Sequence, residues 1–251
     1  MRHYLAILLL LALACEPQTA KEPADSPVVR DDKGRIIAGP LKVYYPSGKL
    51  KGEVNYKNGK LHGRAVKYYE DGTTVKSELH YEEGKLHGLQ KRYYKSGALY
   101  KTENFNRGVR DGEVKKYRRD GRLMTEALYR NGYPGIYLKE YLTNGKLKKK
   151  YPSIKIKTLD RLAENGTYTL RFYLSDGSKK VTFYQGKLHN GYLHKGLQEL
   201  PAVNGVLDYE IKLEPGQAAR GELHLVAKVV TRLNNVYITT AHHKLAVERP
   251  W

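Results

Sequence analysis

The chain has a single cysteine, Cys15, so no disulfide can form within it. It also lacks an apolar run of the about 20 residues that a membrane-spanning helix needs. The run from Tyr4 to Ala14 is too short. Motifs of common catalytic and nucleotide sites do not occur: there is no P-loop, no Gly-x-Gly-x-x-Gly after a strand, no Gly-x-Ser-x-Gly and no His-Glu-x-x-His. The sequence therefore predicts that the protein is not an enzyme, has no catalytic residues and uses no cofactor.

Clusters of metal ligands are not indicated either. His242 and His243 are adjacent, but neighbouring side chains on a strand point to opposite faces, which favours a chance pair. His62 and His87 recur in phase beside turn glycines. That position favours a role in stabilising turns over ligand or proton chemistry, so no metal site is expected.

What the sequence has in abundance is a repeated unit of about 24 residues. Each unit opens with a tyrosine and places a glycine four positions later. The five openings pair Tyr44 with Gly48, Tyr68 with Gly72, Tyr93 with Gly97, Tyr117 with Gly121 and Tyr141 with Gly145. A second landmark keeps the same step and pairs Tyr56 with Gly59, Tyr81 with Gly84, Phe105 with Gly108 and Tyr129 with Gly132. Self-similarity at a fixed period is typical of a repeat array, which presents a long and regular surface.

The residues after each opening glycine alternate between apolar and polar. Leu50, Gly52 and Val54 would share one face of a strand, with Lys51 and Glu53 on the other. Glycine-containing turn signals then lead into a second short strand. Each unit is therefore predicted to be a β-hairpin, and the five units a meandering β-hairpin sheet.

From residue 154 onward, strand-like runs are separated by turn signals such as Asn165-Gly and Pro215-Gly. This spacing predicts a small β-sandwich-like domain, which makes the whole chain all-β. One alternative stays open. Residues 173–177 and 186–191 repeat the two landmarks of the array, so residues 168–191 could form a degenerate sixth hairpin.

Positive charge is concentrated in the array. The formal net charge of the chain is +19, and residues 41–150 contain 26 basic but only 12 acidic residues. Such a field favours anionic partners: lipid head groups, acidic glycans, acidic proteins or nucleic acid. The alternative is a solvated lysine-rich surface that keeps sheet edges from aggregating.

The N-terminus resembles a bacterial lipoprotein signal. A short basic segment and a leucine-rich run end in Leu-Ala-Leu-Ala directly before Cys15. The resemblance implies acylation at Cys15, anchoring in a membrane and, because Glu16 and not Asp follows, an outer-membrane location in a cell with two membranes. Export removes the chain from nucleic acid, so no nucleic-acid partner is expected. The predicted organisation is a signal peptide over residues 1–15, a flexible tether over 16–39, the repeats over 40–151 and the sandwich-like domain over 152–251.

The repeat unit Tyr-x-x-x-Gly-x-Leu followed by Tyr-x-x-Gly-Lys-Leu-His-Gly resembles the MORN-repeat variant of bacteria, including proteins with a YwqK-type toxin–antitoxin label. Residues 59–63 and 84–88 carry the Gly-Lys-Leu-His-Gly signature best. The resemblance implies a hairpin array used for contact with proteins or membrane surfaces. It implies no catalytic residues.

Together these patterns predict a non-catalytic, lipid-anchored envelope protein whose array binds or scaffolds a protein or an anionic envelope ligand. The alternative is an immunity or antitoxin-like inhibitor of one toxin. Exposed tyrosines and lysines on one face are the expected contact residues, because they supply rigid area and charge. The candidates are Tyr45, Tyr69, Tyr94, Lys67, Lys91, Lys115 and Lys116.

Overall fold

The computed structural model describes residues 28–251, and the predicted signal peptide with Cys15 lies outside this range. Strands dominate, and the all-β fold class is confirmed. Among the described residues, no helix has the length and apolar character required to cross a bilayer. The first 13 strands form one sheet. They are β1 (Val29–Arg30), β2 (Ile36–Tyr44), β3 (Leu50–Lys57), β4 (Lys60–Leu61), β5 (Gly63–Tyr68), β6 (Val75–Glu82), β7 (Lys85–Leu86), β8 (Gly88–Tyr93), β9 (Leu99–Asn106), β10 (Val109–Tyr117), β11 (Leu123–Arg130), β12 (Tyr133–Pro134) and β13 (Lys139–Glu140).

The opening of every unit folds into the same turn. In the first unit, the Tyr45 N–H donates to the Lys49 carbonyl at 2.8 Å and the Gly48 N–H donates to the Tyr45 carbonyl at 2.9 Å. Equivalent pairs of bonds begin at Tyr94, Arg118 and Leu142, and the pair at Tyr69 closes a turn that is one residue longer, with the Thr74 carbonyl as acceptor. The glycine of this turn has positive φ, which explains why the period keeps it. Each of the five units found in the sequence therefore opens with a glycine turn of the same kind, which in the second unit is one residue longer.

The second landmark is a two-residue hairpin turn with both residues at positive φ. Asn58 and Gly59 have φ of 51° and 72°, as a type I′ turn requires. The Gly59 N–H donates to the Ile37 carbonyl of the preceding strand at 2.8 Å. Glu83, Arg107 and Asn131 occupy the Asn58 position in later units, with φ of 48° to 50°. These turns thus join each hairpin to the unit before it.

The predicted tether extends too far toward the array. Residues 29–39 form β1 and the start of β2, and Gly39 lies opposite Tyr56 of β3. The Asp31 carboxylate accepts the N–H groups of Lys33 and Arg35, which fixes the turn between the two strands. No opening tyrosine marks this segment, so the period did not reveal it.

The rest of the chain forms two further sheets. They contain β14 (Ile154–Arg161), β15 (Thr167–Leu174), β16 (Val181–Gln185), β17 (Gln198–Leu200), β18 (Leu207–Lys212), β19 (Ala218–Val230) and β20 (Val236–Glu248), with a short helix α1 (Leu162–Asn165) after β14. The strand orders are β14-β15-β18 and β17-β16-β19-β20. Phe172 of the first sheet and Phe183 of the second are both fully buried in one shared apolar core. Two sheets therefore pack over a common interior.

The proposed sixth hairpin does not exist. Its two strands would be β15 and β16, but β15 pairs with β14 and β18, whereas β16 pairs with β17 and β19. The Asp-Gly turn at residues 176–177 instead leads from one sheet to the other. Phe172 of β15 and Phe183 of β16 are buried in the same apolar core, to which each sheet contributes one of them.

The C-terminal sheets contact the last unit of the array, as expected for a cap on an open repeat sheet. Gly135 forms a bridge to Tyr192, and the Ile136 N–H donates to the Gly191 carbonyl at 3.0 Å. The rings of Tyr151 and Tyr237 stack with their centroids 4.6 Å apart. The end of the array is therefore covered by side chains and paired backbone.

Candidate functional site

Strand pairing aligns one residue from each long strand of the array into a row on a single face. Directly opposed residues in an antiparallel sheet point to the same side, so the row can be followed from strand to strand. Its members are Val43, Gly52, Lys67, Ser77, Arg92, Lys101, Lys116, Thr125 and Glu140. Four of these residues are cations, which gives this face a line of positive charge.

Several cations lie near Lys67. Burial lowers the pKa of the Lys67 ammonium. The charges of Lys76, Lys51 and Arg92 lower it further, and no carboxylate in residues 28–251 forms an ion pair with it. We call Lys51, Lys67, Lys76 and Arg92 the cationic patch. Because its charges repel one another, an anion placed among them would relieve an unfavourable interaction.

Farther along the row, the positive charges are already compensated. The buried Glu103 carboxylate lies 2.9 Å from Lys101 Nζ and 2.7 Å from Arg110 Nη2. Burial raises the pKa of Glu103, but hydrogen bonding and charge from Lys101, with the charge of Arg110, lower it below its usual value overall. Arg92 Nε is 4.0 Å from the same carboxylate, at the limit of an ion pair. Within the row, Lys67 is therefore the cation that has no carboxylate or carbonyl partner among the described residues.

The four candidate lysines lie on two faces. Lys67 and Lys116 belong to the row, whereas Lys91 and Lys115 pair with Glu78 and Glu126 and face the other side. The buried Lys116 donates to the Leu233 and Asn234 carbonyls at 3.2 Å and 3.1 Å. Lys115 Nζ lies 2.9 Å from the Glu113 carboxylate. Lys67 is thus the candidate lysine that the structure places in the cationic patch.

The three candidate tyrosines are half-buried and connect successive units. The Tyr45 hydroxyl donates to the Tyr68 carbonyl at 2.8 Å, the Tyr69 hydroxyl to the Tyr93 carbonyl at 2.7 Å, and the Tyr94 hydroxyl to the Tyr117 carbonyl at 2.8 Å. In the next unit Arg118 replaces the tyrosine, and its Nη2 donates to the Tyr141 carbonyl at 2.7 Å. Each of these tyrosines remains partly exposed, and whether it contacts a partner stays a prediction.

A cluster of possible metal ligands was missed by sequence reasoning. His242 and His243 do point to opposite faces, but His242 lies directly opposite His224 on the neighbouring strand. Glu222, two residues before His224, shares that face, and the ligand atoms of the three residues all lie within 4.8 Å of one another. The Glu222-x-His224 spacing was a signal for two ligands on one face of a strand.

Comparison with known proteins identifies the repeats. The MORN repeat variant matches residues 39–58 and 86–107. The first stretch spans most of β2 and all of β3, and the second spans β8 and β9 with the turn between them. No curated protein matches the chain. The array therefore contains MORN-variant units, and MORN repeats are in general non-enzymatic binding or scaffolding modules.

Proposed function

We propose that this chain is a non-catalytic envelope protein, lipid-anchored at Cys15 in the outer membrane, whose array binds an anionic ligand or an acidic protein through the cationic patch. The observation that carries the proposal is the position of Lys67, which has no carboxylate partner among residues 28–251 and whose pKa is lowered by the neighbouring charges of Lys76, Lys51 and Arg92. Elsewhere in the row, carboxylates or backbone carbonyls already satisfy the cations. A lysine-rich surface that served only solubility would not need to concentrate its charge in this way.

The first test measures binding to anionic surfaces. Full-length protein carrying Cys15→Ala is sedimented with vesicles of phosphatidylglycerol and phosphatidylcholine, and with phosphatidylcholine alone. Since each cation near an anionic membrane contributes about 1 kcal/mol, Lys67→Gln with Arg92→Gln should weaken binding about thirtyfold. Binding should also fall steeply with added salt.

The matched control removes two cations from the C-terminal sheets. Lys155 and Lys157 are exposed on β14, and Lys155→Gln with Lys157→Gln changes the net charge by the same amount. This variant should bind almost as well as the parent. Equal losses in both double variants would mean that total charge, and not the cationic patch, governs binding.

A pull-down with crosslinking in intact cells separates the two classes of partner. A diffuse set of envelope material released by moderate salt supports an electrostatic scaffold. One stoichiometric protein partner, held with little salt dependence, instead supports the alternative of a toxin inhibitor.

The anchor is tested separately: Cys15→Ala should release the protein from the membrane fraction, and unchanged fractionation would contradict the lipoprotein assignment.

A further inference from the structure

The Glu222, His224 and His242 cluster is held by the longest hairpin of the described residues. Strands β19 and β20 pair without a register shift from Ala218 opposite Glu248 to Val230 opposite Val236. The Gly186 N–H also donates to the His224 carbonyl at 2.9 Å, which fixes the backbone at this histidine. Regular strands position side chains more reproducibly than loops do. The three ligand groups are therefore mounted on a rigid support.

The distances between the three side chains match those of a metal coordination shell. Glu222 Oε2 lies 3.4 Å from the Nε2 atoms of both His224 and His242. With Zn–N and Zn–O bonds of about 2.0 to 2.1 Å, neighbouring ligand atoms around a tetrahedral zinc ion are about 3.3 Å apart. The carboxylate oxygen thus already stands at the ligand–ligand distance from each imidazole.

The imidazole rings need only a small rearrangement. They stack with centroids 4.5 Å apart and an interplanar angle of 10°, and the Nε2 atoms of both rings lie next to Glu222 Oε2. Rotation of each ring about χ2 would turn both lone pairs toward a common point beside the Glu222 carboxylate. That torsion is broad in histidine, so the energetic cost is small.

We propose that Glu222, His224 and His242 form a binding site for a divalent transition-metal ion, with Zn²⁺ as its expected occupant. Two imidazoles and one carboxylate suit zinc and copper, whereas Mg²⁺ and Ca²⁺ prefer sites made of oxygen ligands. The site is distinct from the cationic patch and does not depend on the proposed function of the array.

Space for the ion and a further ligand lies beside the histidines. A cleft of about 330 Å³ is lined by His224 and His242 on one side and by the 186–188 segment on the other. The side chains of His224, His242 and Glu222 are 27%, 42% and 53% exposed, so an ion can enter from solvent. Three protein ligands leave a fourth zinc position for water or for a group from a partner.

Calorimetric titration with ZnCl₂ tests the site. The full-length chain carries Cys15→Ala, since a thiol would also bind zinc. One Zn²⁺ per chain is expected, and either His224→Gln or His242→Gln should weaken binding by about tenfold or more because two ligands hold zinc poorly. Glu222→Gln should weaken it as well, and MgCl₂ should give no comparable binding. The matched control is His243→Gln, whose side chain lies on the opposite face of β20.

Two outcomes would overturn the proposal. One is the absence of zinc binding by the parent. The other is parent-like affinity in both His224→Gln and His242→Gln. NMR of the parent covers the case in which a variant fails to fold: zinc should shift the imidazole nitrogen signals of His224 and His242. Shifts confined to His189 and His194, whose ring centroids are 6.3 Å apart, would place the ion elsewhere.

Discussion

The carboxylate of Glu140, in the last strand of the array, accepts a 2.8 Å hydrogen bond from the side-chain amide of Asn235, which lies 95 residues later. The same oxygen accepts a bond of 2.5 Å from the Thr231 hydroxyl, and the other oxygen lies 2.9 Å from Lys148 Nζ. Glu140 is only 2% exposed. The contact between the array and the C-terminal sheets is thus organised around one buried and fully partnered carboxylate.

Replacing this carboxylate should destabilise the protein severely. Glu140→Ala leaves the buried Asn235 amide and the Thr231 hydroxyl without their acceptor, and each unsatisfied donor costs about 1 to 3 kcal/mol. Urea unfolding measures the change in the free energy of unfolding. The control is Glu113→Ala, since the Glu113 side chain is 45% exposed and pairs with Lys115, and this variant should lose no more than about 1 kcal/mol. Similar losses in both variants would show that burial of the Glu140 contact adds nothing to its strength.

Glu140 should also make stability depend on acid pH. Burial raises its pKa, but hydrogen bonds from Thr231, Lys148 and Asn235 lower it more, so the pKa in the folded protein lies below the usual 4.5. A depressed pKa gives stability that is present above pH 4.5 and is lost as the pH falls through the folded value. Urea midpoints measured between neutral pH and about pH 3 should therefore fall more steeply for the parent than for Glu140→Gln. Parallel slopes would contradict this origin of the acid sensitivity.

Each tyrosine hydroxyl that connects two units should make its own contribution to the stability of the protein. Tyr69→Phe removes the donor to the Tyr93 carbonyl and keeps the ring, so the expected loss is about 1 kcal/mol in the free energy of unfolding. Tyr100→Phe is the control, because the Tyr100 ring packs against Tyr94 and its hydroxyl donates no hydrogen bond within residues 28–251. If Tyr69→Phe instead left stability unchanged and reduced binding of a partner, the hydroxyl would act in recognition.

The sequence predicted the elements that depend on local pattern. Alternation and the spaced glycines identified the hairpins because a glycine at positive φ and a period of two are both local properties, as at Gly48 and Leu50. Placing lysines on faces failed because the step from Tyr68 to Tyr93 is 25 residues, one more than the other steps, so Arg92 and not Lys91 occupies the position equivalent to Lys67. Lys67 and Lys91 therefore face opposite sides although they are 24 positions apart.

Contacts between residues far apart in the sequence could not be predicted either. The pairing of His224 with His242 depends on the register of a long hairpin, and that of Glu140 with Asn235 depends on how the two parts of the chain dock. Neither relationship is encoded by a motif of nearby residues. Residues 173–177 and 186–191 illustrate the opposite error. They resemble the two landmarks of the array, but they lie at the ends of β15 and β16, which belong to different sheets.

The opening turn of the second unit is one residue longer than the others, since the Tyr69 N–H bonds to Thr74 five positions later, and this longer turn should be visible in the titration of Asp71. Its carboxylate accepts the N–H groups of Thr73 and Thr74, and hydrogen bonds from the Thr74 side chain and these two backbone groups lower its pKa to about 2. Thr74→Val should raise this pKa toward 3.8, measured by NMR of the carboxyl carbon. Thr73→Val is the control, since Thr73 acts through its backbone N–H, which valine keeps. An unchanged pKa in Thr74→Val would mean that the backbone bonds alone hold it down.

Glycines of the hairpin turns should be far less replaceable than glycines within strands. Gly84 has a φ of +78°, and an added Cβ would meet only Lys60 Cβ at 3.8 Å, so alanine costs conformational energy and not a clash. Gly84→Ala should therefore lower the free energy of unfolding by about 1 to 2 kcal/mol. Gly221, within β19, does not have positive φ, and a methyl group added there would meet open space, so Gly221→Ala should leave stability unchanged or raise it by up to about 1 kcal/mol. Urea unfolding of both variants gives the comparison. A neutral Gly84→Ala would mean that the turn can adopt another type without loss, and the fixed spacing of glycines in the array would then need an explanation other than backbone conformation.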